Sequence, residues 1–183
     1  MKQQFLIRIL LILLIVLVNV GCDQVSKAVV RERVAPNETI EVIGHNLILT
    51  NAENSGAFLS LGSDWPEPVR KLVLLIIPCI ALLGAFVMLV LQDDLSRGML
   101  VGLSFAIGGG IGNIYDRIKY GSVTDFLHID LEFARTGIFN VADMSIMFGL
   151  ILTLFLYFRQ ARKEKAAAEA LSTTDTPPLP PTE

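Results

Sequence analysis

The chain has 183 residues, of which 52% are hydrophobic, and its mean hydropathy is +0.58. These values permit one domain and exclude an ordinary soluble protein. A net charge of −3 gives no basic surface for nucleic acid. The two cysteines, Cys22 and Cys79, do not predict a disulfide, because Cys79 lies inside an apolar segment. No HExxH motif or other metal-ligand spacing occurs, so we expect no metal and no cofactor.

Four apolar segments are each long enough for a helix to cross a bilayer core. They are Phe5–Gly21, Val69–Leu91, Gly98–Ile114 and Ile138–Phe158. The predicted fold is therefore a membrane all-α protein with four transmembrane helices, whose two chain ends lie on the same side. Basic residues crowd just after Phe158. Because such residues accumulate on the cytoplasmic side of a membrane, we expect both termini in the cytoplasm.

The first apolar segment also resembles an export signal, with a basic start, an apolar core and Gly21-Cys22 at its end. On that interpretation the chain is a lipoprotein precursor that is cleaved before Cys22. Against it, Asn19 stands where such a cleavage site favours an aliphatic residue, and three further apolar segments follow. Next come Asp23 and Lys27, four residues apart with the acid first. This order predicts a helical ion pair in a polar collar where the helix leaves the membrane.

Short runs of β-branched and apolar residues lie between the first and second segments, separated by turn residues. These runs are Thr39–Ile43, Leu47–Thr50 and Ala57–Leu61. They predict a small extracytoplasmic β-sheet, too short to be stable alone, which rests on the membrane surface. Asn54 begins a turn after the second run. Its amide either completes that turn or faces a peptide backbone.

The third apolar segment combines packing residues with a polar end. Its two GxxxG pairs predict close approach of a neighbouring helix; they are Gly98/Gly102 and Gly108/Gly112. Asn113 and Arg117 follow, one turn apart on one helix face. Arg117 is either an interfacial anchor paired with Asp116 or, with Asn113, a donor to a carbonyl or a developing oxyanion.

Two acids near the last segment are the candidate functional residues. Residues 123 to 133 alternate as a strand would, and Asp125 interrupts the apolar side of that pattern. Asp143 lies near the start of the fourth segment, with Asn140 on the same helix face. An ionisable group at membrane depth costs about 2.5–3.5 kcal/mol on insertion scales, so each acid is a functional candidate.

Two neighbouring carboxylates share one proton, because both cannot ionise easily at short distance. The ionised member can take a proton from water while the neutral member polarises a carbonyl, as peptide hydrolysis requires. Asp125 and Asp143 therefore predict a catalytic pair. Two alternatives stay open. One is a small transporter or scaffold with an acidic proton relay, and the other is a structural salt bridge from Asp143 to Arg117 or Arg135.

Five motifs occur in order between residues 5 and 158. They are Asp23-Gln-x-Ser-Lys27, Asn54-x-Gly-Ala-Phe58, Gly109-Gly-x-Gly-Asn-x-x-Asp-Arg117, Gly121-x-Val-x-Asp-Phe126 and Phe139-Asn-x-Ala-Asp143. Together they resemble the motifs of the bacterial lipoprotein signal peptidases (signal peptidase II). The third carries Ile111 where that family often has alanine, an apolar exchange at a packing position.

The resemblance implies an intramembrane aspartic endopeptidase of the bacterial inner membrane, with its active site at the extracytoplasmic face. Asp125 and Asp143 match the family's catalytic dyad. Six further residues match its polar site residues and are expected to bind substrate: Asn54, Asn113, Arg117, Asn140, Asp23 and Lys27. The substrate would be a prolipoprotein with diacylglycerol on its lipobox cysteine, cut just before that cysteine. Membrane lipid and cyclic-peptide antibiotics are the other expected partners, and the protein would act as a monomer without cofactor or nucleic acid.

The end of the chain is basic, then rich in Ala, Glu and Lys, and finally rich in Thr and Pro. We expect residues 1–160 to form a single membrane-embedded domain. Residues 161–183 are expected to be a cytoplasmic tail that begins as an extension of the last helix and is otherwise largely disordered.

Overall fold

The structure, a computed structural model, describes residues 2–57, 61–92, 95–131 and 133–174. Within these ranges four helices are long and apolar enough to cross a membrane, which confirms the predicted number. They are α1 (Lys2–Arg33), the helix Glu67–Leu91, α4 (Arg97–Tyr120) and α5 (Val141–Thr174). The second consists of α2 (Glu67–Lys71), a π-helical segment (Leu72–Ile76) and α3 (Ile77–Leu91). The predicted division into a domain and a tail at residues 160 and 161 stays a prediction.

The central helix of the bundle is α4, which packs against the other three. In its most apolar window 44% of the residues are buried, against 11–17% in the other spanning helices. Its glycines allow this, as the GxxxG pairs predict. A Cβ atom at Gly108 would lie 2.8 Å from the Cβ of Asn19 in α1, and one at Gly112 would lie 2.5 Å from Oδ2 of Asp23. The backbone of α4 therefore lies closer to α1 than any residue larger than glycine would allow.

A half-buried arginine joins two helices at the end of the bundle that holds the N-terminus. The Arg8 side chain of α1 donates to the carbonyl of Leu89 at 2.7 Å and to that of Gln92. Leu89 lies in the last turn of α3 and Gln92 caps it, where carbonyls lack an intrahelical donor. The guanidinium charge also opposes the negative end of the α3 dipole, so Arg8 stabilises this helix end.

At the other end of the bundle the chain forms one antiparallel sheet in the order β1-β2-β3-β4. The strands are β1 (Thr39–Ile43), β2 (Leu47–Asn54), β3 (Val123–Leu131) and β4 (Ala134–Arg135). The sheet itself is confirmed, although β2 is longer than predicted. The predicted run Ala57–Leu61 includes residues 58–60, which lie outside the described residues. Phe126 of β3 packs with Val30 and Val34 at the end of α1, and this apolar cluster fixes the sheet to the bundle.

A bulge in β2 sets the register next to β3. Leu49 pairs with Leu127, but Ala52 pairs with Asp125, so β2 contains one extra residue between these pairs. Beyond the bulge, Asn54 lies opposite Val123. Directly opposed residues share a face of the sheet, and so do residues two apart in one strand. The bulge therefore brings the Asn54 side chain to the face that carries Asp125.

Two connections bring α4, β3 and α5 together. Gly121 follows α4 with φ +79°, a left-handed conformation that suits glycine and turns the chain sharply into β3. After β4 the chain returns along β3, where Phe139 exchanges backbone hydrogen bonds of 2.8 Å with Leu127. This return places the start of α5 beside Asp125.

Candidate active site

A cavity of about 200 Å³ opens where the sheet meets the helix ends, and both predicted catalytic acids line it. Its walls are Asn54, Ala57, Leu74, Pro78, Asn113, Arg117, Val123, Asp125, Ile138 and Asp143. One half of this lining is apolar and comes from the helix Glu67–Leu91, from β3 and the turn after β2, and from the approach to α5. The other half is polar and comes from the sheet, α4 and α5. The cavity can therefore hold an apolar chain with a peptide bond against the acids.

Asp125 is held in β3 with a carboxylate only 4% exposed. Its Oδ2 accepts a hydrogen bond from Nδ2 of Asn54 at 2.9 Å, and its Oδ1 accepts one from Nδ2 of Asn140 at 2.6 Å. Burial raises the pKa of Asp125 to about 6, and the nearby charge of Asp143 adds to that rise while the two amide donors oppose it. Asp125 is thus the acid that takes up a proton near neutral pH.

Asp143 lies in the first turn of α5 and is only half buried. Nδ2 of Asn113 donates to its Oδ1 at 2.8 Å. The backbone N–H of Asn140 donates to its Oδ2 at 3.2 Å, and the N–H of Asp143 donates back to Oδ1 of Asn140 at 2.9 Å. This reciprocal pair is a capping box, and it begins α5 at Val141 and not at Ile138 as predicted. Two fixed donors at this helix start therefore hold the Asp143 carboxylate in one orientation.

The six predicted substrate-binding residues fall into two groups. Asn54, Asn113 and Arg117 line the cavity. The others lie behind it with no exposed surface: Asn140, Asp23 and Lys27. The buried Asn140 amide nevertheless joins the two acids, because it donates to Asp125 and caps the helix that carries Asp143.

Asp23 and Lys27 form the predicted ion pair, at 2.8 Å, but it is fully buried and is not a solvated collar. Lys27 also lies 3.1 Å from Asp116, which pairs in turn with Arg31 at 3.0 Å. The alternative in which Asp116 pairs with Arg117 is therefore not favoured, because Asp116 faces α1. Consecutive residues differ by about 100° around a helix, so the two side chains point in different directions. The charges balance within the cluster, as burial of ionised groups requires.

Arg117 supplies a cationic wall of the cavity. Its Nη2 donates to the carbonyl of Gly56 at 2.9 Å, while its buried Nε has no hydrogen-bond partner among the described residues. In Asn54, by contrast, the side-chain NH₂ group and the amide oxygen are both hydrogen-bonded within the protein. Its Nδ2 donates to Asp125 and to the carbonyl of Ala57 at 3.1 Å, and its Oδ1 accepts from the N–H of Gly56 at 3.0 Å. Asn54 therefore supports Asp125, and Arg117 retains a donor for a bound molecule.

Leu74 and Pro78 also line the cavity, and they are absent from the predicted site residues. Proline has no N–H to continue the α-helical ladder. The turn before it widens to the π-helical segment Leu72–Ile76. Such segments are frequent at functional sites, and the proline inside this apolar run is the sequence feature that marks it. Within the described ranges, no three His, Cys, Asp or Glu side chains converge as metal ligands would.

Comparison with known families gives a consistent result. The family model for signal peptidase (SPase) II matches residues 14–159. The lipoprotein signal peptidase of Moorella thermoacetica is 34% identical over 140 residues, which cover 76% of this chain and 87% of that protein. The lipoprotein signal peptidase of Enterococcus faecalis is 35% identical over 156 residues, which cover 85% of this chain and 91% of that protein.

Solved structures agree with the sequence relatives. A bacterial membrane enzyme solved by the in meso method at 2.3 Å resolution superposes with a TM-score of 0.73 at 28% identity, over 82% of this chain and 88% of that chain. A second such structure, at 1.9 Å resolution, gives a TM-score of 0.71 at 27% identity, over 80% of this chain and 91% of that chain. The similarity therefore covers the bundle and the sheet together.

Proposed function

This chain belongs to the signal peptidase II family, and from that premise we propose that Asp125 and Asp143 are the pair that cuts its substrate. The protein is a multi-pass bacterial membrane enzyme, an aspartic peptidase that removes signal peptides from prolipoproteins. The family does not favour the alternative of a transporter or scaffold. The observation that carries the assignment of the pair is that both carboxylates line one cavity and are joined through Asn140.

The environments of the two acids support different roles. Asp125, buried and with a raised pKa, holds the shared proton and donates it to the oxygen of the scissile carbonyl. Asp143, more exposed and held by donors at a helix start, takes a proton from the attacking water. Water oxygen then bonds to the carbonyl carbon. Asp143 returns its proton to the leaving amine as the carbon–nitrogen bond breaks, and Asp125 regains its proton from the collapsing diol.

Arg117 binds the reacting carbonyl in this proposal. Its buried Nε has no partner among the described residues and belongs to a cavity-lining side chain. A donor fixed at the point where negative charge develops stabilises the transition state more than the ground state. Beside it, Asn113 donates a hydrogen bond to Asp143, and Asn54 and Asn140 each donate one to Asp125.

The substrate is a prolipoprotein with a diacylglyceryl-modified cysteine, cut just before that cysteine. Its signal peptide is a membrane segment, which suits the apolar wall formed by Leu74, Pro78 and Ile138. A second, almost wholly apolar groove of about 390 Å³ runs between α1, α3 and α4 and ends at Ile114, next to Asn113. The acyl chains occupy this groove, since lipid tails require an unbroken apolar surface. Cyclic-peptide antibiotics compete for the cavity, and the protein acts as a monomer without nucleic acid.

Both termini are cytoplasmic and the cavity faces the extracytoplasmic side. The basic cluster at Arg159, Arg162, Lys163 and Lys165 supports this orientation. A membrane-impermeant maleimide tests it after Cys22 and Cys79 are replaced by alanine. Labelling of Lys119→Cys from outside intact cells, without labelling of Arg162→Cys, is the expected result. The reverse pattern would contradict the orientation.

Cleavage of a matched pair of peptides tests the function. Purified enzyme in lipid nanodiscs is incubated with a lipobox peptide that carries diacylglyceryl on cysteine and with the same peptide unmodified. We expect release of the signal segment from the modified peptide only, with the lipidated cysteine at the new N-terminus. Equal cleavage of both would contradict the lipid requirement, and cleavage of neither would overturn the proposed substrate.

A further inference from the structure

The amide of Asn113 is oriented by donors from two other helices. Its Oδ1 accepts from Nζ of Lys27 at 2.9 Å and from Nδ2 of Asn140 at 3.2 Å. Its Nδ2 is therefore turned to Asp143, to which it donates at 2.8 Å. The opposite orientation would set the amide oxygen against a carboxylate and the NH₂ group against an ammonium. Electrostatics thus permits only one orientation while Lys27 is charged.

The other two amides at the pair are held differently. Oδ1 of Asn54 accepts from the backbone N–H of Gly56, and Oδ1 of Asn140 accepts from the N–H of Asp143. These backbone donors keep their positions when a neighbouring side chain is replaced or rotates, whereas a side-chain donor does not. Asn113 is the only one of the three whose oxygen is fixed by side chains, so its orientation depends on Lys27.

Lys27 cannot reach a substrate itself. Its side chain has no exposed surface, and its three N–H donors are taken up by Asn113, Asp23 and Asp116. The ammonium thus lies between two carboxylates, of which Asp116 also pairs with Arg31. Lys27 directs one hydrogen bond towards the cavity, to Asn113, and it can therefore act on the site only through that residue.

We propose that Lys27 is a positioning residue that fixes the Asn113 amide as a permanent donor to Asp143 and so holds the Asp143 carboxylate in place for proton abstraction. This inference rests on the proposed role of Asp143. The other charged groups that face Asp143 are Asp125 from β3 and Arg117 from α4. Asp23 of α1 lies behind it, where it accepts from the N–H of Ala142 at 2.9 Å.

Without the ammonium, only the longer bond from Asn140 holds the Asn113 oxygen, and the amide can rotate. In the rotated state the amide oxygen faces the Asp143 carboxylate, which loses its side-chain donor and with it its fixed orientation towards the attacking water. Turnover is then slower. Substrate binding changes little, because Lys27 does not contact the cavity.

The test is a double-mutant cycle on kcat and KM with the diacylglyceryl peptide. The full chain is compared with Lys27→Met, Asn113→Ala and the double variant in nanodiscs. We expect Lys27→Met to lower kcat by about 10-fold or more and to change KM by less than about 2-fold. In the Asn113→Ala background the same substitution should leave kcat unchanged. Lys119→Met, which replaces an exposed lysine at the end of α4, is the matched control and should leave kcat and KM unchanged.

Each other outcome overturns the inference in a distinct way. An equal loss of kcat in both backgrounds would indicate that Lys27 does not act through Asn113, and an unchanged kcat would leave Lys27 without a role in turnover. A rise in KM alone would make it a substrate contact. If Lys27→Met does not fold, the charge-balanced pair Asp23→Asn with Lys27→Met replaces it in the cycle, and failure of both to fold would assign Lys27 to folding alone. Absence of cleavage by the unmodified enzyme overturns the proposed function, whereas an active enzyme whose kcat is unchanged in Lys27→Met overturns only this inference.

Discussion

Replacement of Asp125 by asparagine should change how the stability of the folded protein depends on pH. The pKa of Asp125 rises from 3.8 to about 6 on folding. The folded state therefore binds a proton more tightly than the unfolded chain does. The stability that this proton provides is fully present below about pH 4 and is lost as the pH rises through about 6. A rise of this size corresponds to about 3 kcal/mol, at about 1.4 kcal/mol per pKa unit.

The variant Asp125→Asn cannot ionise, so it lacks this dependence. Its NH₂ group meets one of the amide donors from Asn54 and Asn140, which lowers stability by a constant amount at every pH. The quantity to measure is therefore the difference in free energy of unfolding between Asp125→Asn and the unmodified protein. We expect this difference to move by about 2 kcal/mol in favour of the variant between pH 4 and pH 7, because at pH 4 the unfolded chain also binds part of a proton. Equilibrium unfolding in mixed micelles measures it. A difference that is flat over this range, or that moves the other way, would refute the burial argument for Asp125.

Four further outcomes are expected. Asp125→Asn and Asp143→Asn should insert normally and lose on the order of 10³-fold or more in activity, while Asp130→Asn on the same strand retains it; near-normal cleavage by either would end the assignment. Arg117→Ala should lower kcat/KM less severely, by about 10²-fold, and unchanged kinetics would leave Arg117 as an anchor. Gly112→Ala places a Cβ 2.5 Å from Oδ2 of Asp23 and should cost about 1–3 kcal/mol of folding free energy, whereas Gly84→Ala, with open space around it, should not. Chelators should not affect the purified enzyme, and metal-dependent cleavage would contradict the mechanism.

The spanning helices and the first strands were predictable because their signals are local. Apolar length predicts a membrane helix, and β-branched residues between turns predict Thr39–Ile43 as a strand, with the bounds that the structure has. Helix ends were less predictable. α1 runs to Arg33, well past the apolar segment that ends at Gly21, because Asp23 and Lys27 are buried against α4 and need no water.

The geometry of the site depends on long-range contacts that no local pattern contains. Asn54 reaches Asp125 only because β2 has a bulge after Leu49, and the sequence there shows no glycine to mark it. The bulge is held from outside the strand, where Nδ2 of Asn51 donates to the carbonyl of Val34 at 2.8 Å. The motif resemblance selected residues that lie in or directly behind the cavity, but it could not separate those that line the cavity from those that support it.

The two hydrogen bonds of the capping box at the start of α5 have two roles. Asn140 and Asp143 begin the helix, and in the proposed mechanism the same hydrogen bonds orient Asp143 as the acceptor of a proton. Formation of the first turn of α5 therefore also sets the orientation of this carboxylate. Substitutions of Asn140 or Asp143 that are selected for higher stability will also alter turnover. Stabilising substitutions must therefore be sought elsewhere in the chain.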